Sequence, residues 1–378
     1  MTIVRETLLP PAPPPRRTGG PVGWLRDNLF SGPGNTLATL VVLAGLALLL
    51  PPAIRFLVTD AVWSGTSGEA CRPATAGHPV GACWAFIGDK INYLVYGSYP
   101  AAERWRPNLF FGLVALSAVW MLWLDAPKRG LGAVFVFLVG PILSVWLLSG
   151  ASVLGLAPVA TSLWGGMLVT LVVSLVGIVA ALPLGILLAL GRRSELPVLR
   201  YACIGFIEFW RGVPLITVLF MANVMLPLFL PGDLTVDRLV RPLVGIALFA
   251  SAYMAEMVRG GLQAIPEGQG RAALALGLTR WQALRLVILP QALKVVVPGI
   301  VNTLIGLFKD TTLVSIVGLA DFIRVLEAAR ADPRWSAPTI PATAYAFAAL
   351  FYLAVCFSMA RYAAFIERRL AAGERGRS

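Results

Sequence analysis

Eight stretches of the chain are apolar for long enough to cross about 30 Å of hydrocarbon as helices, and nothing else in the sequence constrains the fold as strongly. They cover Leu37–Thr59, Asn108–Leu124, Leu131–Ser149, Leu163–Leu190, Tyr201–Leu230, Pro242–Val258, Leu286–Phe308 and Ala342–Tyr362. Hydrophobic residues make up 58% of the chain and charged residues 13%, about half the charged share of a soluble domain. No soluble core of this length hides that much apolar surface, whereas lipid takes the place of a core. Backbone groups inside lipid must be bonded within their own segment, so the expectation is an all-α integral membrane protein of about eight spans. Pro183, Pro214, Pro227, Pro290 and Pro298 fall inside these runs and predict kinks.

The net charge of +12 admits two readings, nucleic acid or basic loops on the inner side of a membrane. The charges sit between apolar runs, which favours the membrane and gives no nucleic-acid partner. With the N-terminus placed inside, the inner loops and tails hold 18 of the 31 Lys and Arg, including Arg16, Arg17, Lys128, Arg129, Arg192, Arg193, Arg259, Arg271, Arg368 and Arg369. The short outer loop Gly150–Ser162 holds none. Eight spans then leave both termini in the cytoplasm and the chain in a bacterial inner membrane. Residues 1–36, with the proline tract Pro10–Pro15, read as a cytoplasmic tail without fixed structure. Residues 37–160 hold three spans and a long outer loop at 60–107, residues 161–366 hold five spans, and 367–378 form a second cytoplasmic tail.

Cys203 and Cys356 lie in apolar runs. Cys71 and Cys83 lie in the polar outer loop, where a disulfide or two separate thiols are both open readings. His78 is the one histidine, there is no Cys-x-x-Cys pair, and so a metal site and a nucleophile–base set are not expected. Trp24, Trp63, Trp105, Trp164 and Trp335 stand near span ends and read as interfacial anchors.

One inner loop, residues 259–290, is unlike the others. Pro266 and Gly268 punctuate its start, and Gln269–Leu276 is rich in Ala and Leu and predicts a helix. Gly277 supplies a turn with positive φ, and Thr279 can cap a second short helix toward Pro290. The residues alone leave open an ordinary amphipathic surface helix.

The spacing Ala272-Ala273, Gly277, Ile288-Leu289-Pro290 resembles the EAA loop of type I ABC importer permeases. Arg271 stands where that pattern has Glu. Three further segments, Leu163-Trp-Gly-Gly-Met167, Glu208-Phe-Trp-Arg-Gly-Val-Pro-Leu215 and Lys309-Asp-Thr-Thr-Leu-Val-Ser315, resemble motifs of the polar amino-acid (histidine/glutamine/arginine) branch. The three extra spans ahead of them are similar to the M-type permease of the general L-amino-acid importer. The resemblance implies a MetI-like five-helix core at 161–366 and a transport role without enzymatic activity of the chain's own. No Gly-x4-Gly-Lys-Ser/Thr occurs, so no cofactor is expected on the chain itself, and ATP is used by a partner. The implied partners are an ABC ATPase dimer, a second permease subunit in a heterodimer, a periplasmic amino-acid-binding protein and membrane lipid. The ATPase-coupling residues are then Gly270, Arg271, Ala272, Ala273, Gly277 and Pro290.

Charge inside a membrane is costly, so each instance invites a functional reading. Glu208 and Arg211 lie three apart on one helical face and can pair; Arg211 can also meet a substrate carboxylate. Lys309 and Asp310 together match the two charges of an amino-acid zwitterion, or form a solvated helix end. Asn223 and Asn302 complete the candidate substrate path, and Lys294 reads as a snorkelling residue. The competing reading, an ion-coupled secondary carrier, requires internal symmetry, which the sequence lacks, and deep carboxylates, for which Glu208, Glu256 and Asp310 are the candidates.

Overall fold

The computed structural model describes residues 20–375 apart from 124, 152–154, 230 and 232–235; the proline tract Pro10–Pro15 and Arg377 fall outside the described residues. The described residues are helical almost throughout, with isolated bridges and no strand. Seven helices are long and apolar enough to cross a membrane, and eight if one bent pair counts as a span.

The order begins with α1 (Pro21–Leu29), inside the region expected to be an unstructured tail. Pro21 starts it at a position where a missing N–H costs nothing. The first span, α2 (Pro33–Ile54), carries Pro51 and Pro52 and opens into a wide turn at Arg55–Thr59. Prolines without donors leave carbonyls free, and the Arg55 N–H bonds to the carbonyls of both. There follow α3 (Trp84–Tyr96), α4 (Trp105–Leu122) and α5 (Arg129–Ser149). The remaining helices are α6 (Met167–Gly191), α7 (Pro197–Gly212), α8 (Leu215–Phe229), α9 (Val240–Ala264), α10 (Glu267–Ala275), α11 (Arg280–Ser315), α12 (Phe322–Arg330) and α13 (Ile340–Arg375).

Helix α9 is the axis of the bundle, packed against α6, α7, α8 and α11, while α11 also packs on α13. Small residues allow the close approach that membrane helices need. A Cβ on Gly185 of α6 would stand 2.7 Å from the Met254 side chain of α9. One on Gly261 of α9 would stand 2.6 Å from the Ala292 carbonyl of α11.

Two expectations change. The run Tyr201–Leu230 is not a kinked rod: α7 and α8 meet at 104°. Pro214 disfavours helical backbone in the residue before it, and Val213 is extended at φ −105° and ψ 131°. The second short helix expected after Thr279 is instead the first turn of α11, which runs unbroken through a wide turn at Leu284–Ile288. There Pro290 has no N–H to give, and the Leu289 N–H reaches back to the Leu284 carbonyl.

The end of the bundle bearing α3 and α12 is closed by a cap. Cys71 and Cys83 are joined in a disulfide, and both are fully buried. They share an apolar cluster with Phe86, Leu94, Phe322, Leu326 and Trp335. Lys90 lies between Asp332 at 2.5 Å and Asp89 at 3.0 Å, and the Trp335 indole N–H donates to Asp89 at 2.8 Å. Asp321 caps α12 by accepting from the N–H groups of Arg324 and Ile323. At this junction Gly97 and Gly165 touch backbone to backbone, and a Cβ on Gly97 would stand 2.5 Å from the Gly165 Cα. The outer loop at 60–107 is thus folded onto the five-span region. Trp335 and Trp164 are buried in this packing, at 0% and 5% exposure, and are not the interfacial anchors expected of them; Trp24, Trp63 and Trp105 are exposed.

Candidate functional site

The opposite end of the bundle carries the exposed turn between α9 and α11. Pro266 precedes α10 in extended backbone, and Glu267 supplies an acid in its first turn. The helix closes with two crossing bonds, Leu278 N–H to the Ala273 carbonyl and Gly277 N–H to the Leu274 carbonyl. That closure requires Gly277 at φ +82°. Thr279 then begins α11 with a reciprocal box: its hydroxyl accepts from the Gln282 N–H, and the Gln282 side chain accepts from the Thr279 N–H. Ala273 and Ala283 face inward, while Leu274, Leu276 and Trp281 are 46%, 84% and 62% exposed. Those three apolar side chains stand on a rigid bend as a surface that the described residues leave exposed. Arg271 pairs with Glu267 at 2.7 Å, out in solvent, and Ala272 is exposed beside it. Gly270 faces Ile288, and Pro290 follows in α11. Arg280 is tied across to Glu195, beyond the end of α6, at 2.5 Å.

Above this turn lies a cluster of charges from three helices. The pair Glu208–Arg211, expected on one face of α7, is not formed. Glu208 instead pairs with Arg192, at the end of α6, at 3.1 Å. Arg211 faces Glu256 of α9 at 3.6 Å and sits over the Tyr253 ring. Two α7 side chains three residues apart diverge because each meets an opposite charge on a neighbouring helix. Arg192 also reaches Glu256 at 3.4 Å, and Arg259 Nε donates to Glu256 at 2.7 Å. Three arginines therefore surround two glutamates. Sequence reading assigned Arg192 and Arg259 to loops; the i, i+3 spacing of Glu256 and Arg259 was the signal available for one of them.

The remaining candidates are spread along the bundle. Asn223 of α8 donates to the Val317 carbonyl at 3.3 Å, and its own carbonyl accepts from Arg241 at 3.3 Å. Asn302 and Lys309 lie on one exposed face of α11, seven residues apart. Lys309 and Asp310 are both exposed at the cap end, and among the described residues neither forms an ion pair. The cluster at Glu256 and the pair at Lys309 thus mark opposite ends of the bundle. Among the described residues no group of His, Cys, Asp and Glu is arranged to hold a metal.

A many-span bundle with small-residue helix packing, charges along its length and an exposed, rigidly bent turn defines a polytopic membrane protein. The chain belongs to the family of binding-protein-dependent transport system inner membrane components, whose model matches residues 181–372. It is 46% identical over 366 residues to the inner membrane amino-acid ABC transporter permease protein YhdY of Escherichia coli (strain K12), covering 96% of this chain and 97% of that one. It is 39% identical to the glutamate/glutamine/aspartate/asparagine transport system permease protein BztC of Rhodobacter capsulatus, with 98% of both chains covered. A solved amino acid ABC transporter, crystallised with histidines, matches 53% of this chain and 90% of its own at 28% identity and a TM-score of 0.47. The chain is the multi-span transport subunit of an ABC system.

Proposed function

We propose that this chain is the channel-forming subunit of an importer that carries L-amino acids, of polar or broad specificity, from periplasm to cytoplasm. The observation that carries the reading is identity of 46% along nearly the whole length to a relative named an amino-acid ABC transporter permease. The excess of Lys and Arg in the short loops at the turn end of the bundle supports a reading with that end and both termini in the cytoplasm.

The bend at α10 then serves as the seat of a separate ATPase dimer. Leu274 and Leu276 offer the apolar contact, Gly277 fixes the angle, and the Glu195–Arg280 pair ties the bend to α6. ATP is bound and hydrolysed on that partner, and the chain itself carries no cofactor. Closure of the two ATPase subunits moves the bend, and α9 and α11 move with it as rigid elements. A second, different permease subunit completes the path, and a periplasmic binding protein delivers the substrate at the cap end. Asn302, Lys309 and Asp310 on the exposed side of α11 face that path, offering both charges of a zwitterion.

The test is uptake by right-side-out or reconstituted vesicles holding the complete complex, with ATP inside and the binding protein outside, and a panel of labelled L-amino acids. ATP-dependent uptake with a co-purifying ATPase is expected. Uptake that survives nucleotide depletion and follows an ion gradient refutes the reading.

A further inference from the structure

Glu256 lies eight residues before the end of α9, about 12 Å above the exposed turn. Its two oxygens are divided between partners. Oε1 accepts from Arg259, one turn further along α9, and Arg259 Nη1 donates onward to Gln263 at 2.6 Å. Oε2 faces Nη1 of Arg192 at 3.4 Å and Nη1 of Arg211 at 3.6 Å. One carboxylate thereby gathers guanidiniums from α6, α7 and α9. Arg211 is the residue before Gly212, where α7 ends ahead of the 104° break. The Glu256 side chain is 22% exposed and its three partners 25–34%, so water screens the contacts only in part. Glu208 stands apart: 56% exposed, with Arg192 as its ion-pair partner.

We propose that Glu256 is a positioning residue for transport, the hub that makes the α7–α8 hinge follow movement of α9. This rests on the permease reading above. Helix α9 runs directly into the turn that precedes α10, so displacement of α10 displaces Glu256. Arg211 meets α9 at that carboxylate and at the Tyr253 ring, 5.9 Å away, and among the described residues it makes no hydrogen bond; the carboxylate is its one ion-pair partner there, so the hinge follows α9 most closely while that charge is present. Without it, three cations face the single carboxylate of Glu208 and repel one another, and the end of α7 separates from α9.

The experiment uses the whole complex in proteoliposomes with its substrate-loaded binding protein. ATP hydrolysis and uptake of the best-carried labelled amino acid are measured in parallel. Glu256→Gln is expected to keep hydrolysis within about twofold of wild type while uptake falls about tenfold or more, so that ATP consumed per substrate rises. Glu208→Gln is expected to leave that ratio near wild type. The double variant Glu256→Gln/Arg211→Gln restores charge balance but not the link, so no recovery is expected. Recovery in the double variant, an unchanged ratio in Glu256→Gln, or parallel loss of both activities overturns the hub. Should Glu256→Gln fail to assemble, Arg211→Lys, which keeps the charge and shortens the reach, is read by the same ratio, and an unchanged ratio again overturns the proposal. Wild type is the control that separates the two readings. ATP-driven wild-type uptake with an unchanged variant ratio removes only the hub, whereas no ATP-driven uptake by wild type removes both.

Discussion

Replacing Cys71 and Cys83 by alanine together should loosen the cap without disturbing the far end of the bundle. The two cysteines are 12 residues apart, and closing a loop of that length removes chain entropy worth about 3 kcal/mol at 25 °C. Spent on a local opening equilibrium, that is a factor of roughly 150 in the open population. The effect should extend past the loop. The disulfide shares its apolar cluster with Phe322, Leu326 and Trp335, which lie some 250 positions further along the chain. Hydrogen exchange followed peptide by peptide in detergent or nanodiscs reads this directly. Protection should fall by about two orders of magnitude in α3 and in α12, and stay unchanged in α9 and α10. Loss confined to residues 62–83, with α12 still protected, would refute the view that loop and core form one cooperative unit. So would a change below about fivefold in both.

Three further outcomes follow from particular residues. Burial pushes the Asp321 carboxyl up to about 6, against the opposing pull of the Arg324 and Ile323 N–H groups. A carboxyl raised from 3.8 to about 6 on folding opposes the fold by about 3 kcal/mol at neutral pH and is relieved as pH falls through 6 toward 4. Protection of α12, corrected for intrinsic exchange, should therefore rise from pH 7 to pH 5 in wild type and lose that slope in Asp321→Asn, which keeps the cap; an equal slope in both refutes this. Gly277→Ala places a Cβ on backbone at φ +82° and should cost about 1 kcal/mol at the bend, lowering ATPase co-purification. Gly270→Ala, whose Cβ would meet Ile288 at an ordinary 3.5 Å, should not, and equal yields from the two variants would contradict the role given to the bend. Arg271→Glu breaks a pair whose side chains are 80% and 84% exposed and should change thermal stability by about 0.5 kcal/mol or less, so a large melting shift would show that Arg271 does more than face solvent.

What the sequence disclosed and what it hid have physical causes. The spans were legible because each is a continuous apolar run, a signal that needs no partner to be read. Gly277 and Thr279 were legible because positive φ and capping are local chemistry. Local chemistry also argued for a kink at Pro214, but a break of 104° did not follow, since neighbouring helices set the angle. The pairing of Glu208 with Arg192 was hidden for the same reason. The i, i+3 rule describes an isolated helix, and here each side chain met a stronger partner from another one. The expectation for Trp335 failed because the sequence gives no sign of what covers it: the residues that bury it belong to the outer loop.

The contact between Gly97 and Gly165 seats the leading part of the chain against the part that follows it. With two main chains in touch and no room for even a methyl group, the segment between the first two spans is fitted closely to the start of the five-span region. A shortened version beginning at residue 161 would take Phe86 and the disulfide away from Trp335 and open that side of the cluster to water. Any soluble visitor arriving there meets a composite floor, laid down by both halves of the polypeptide.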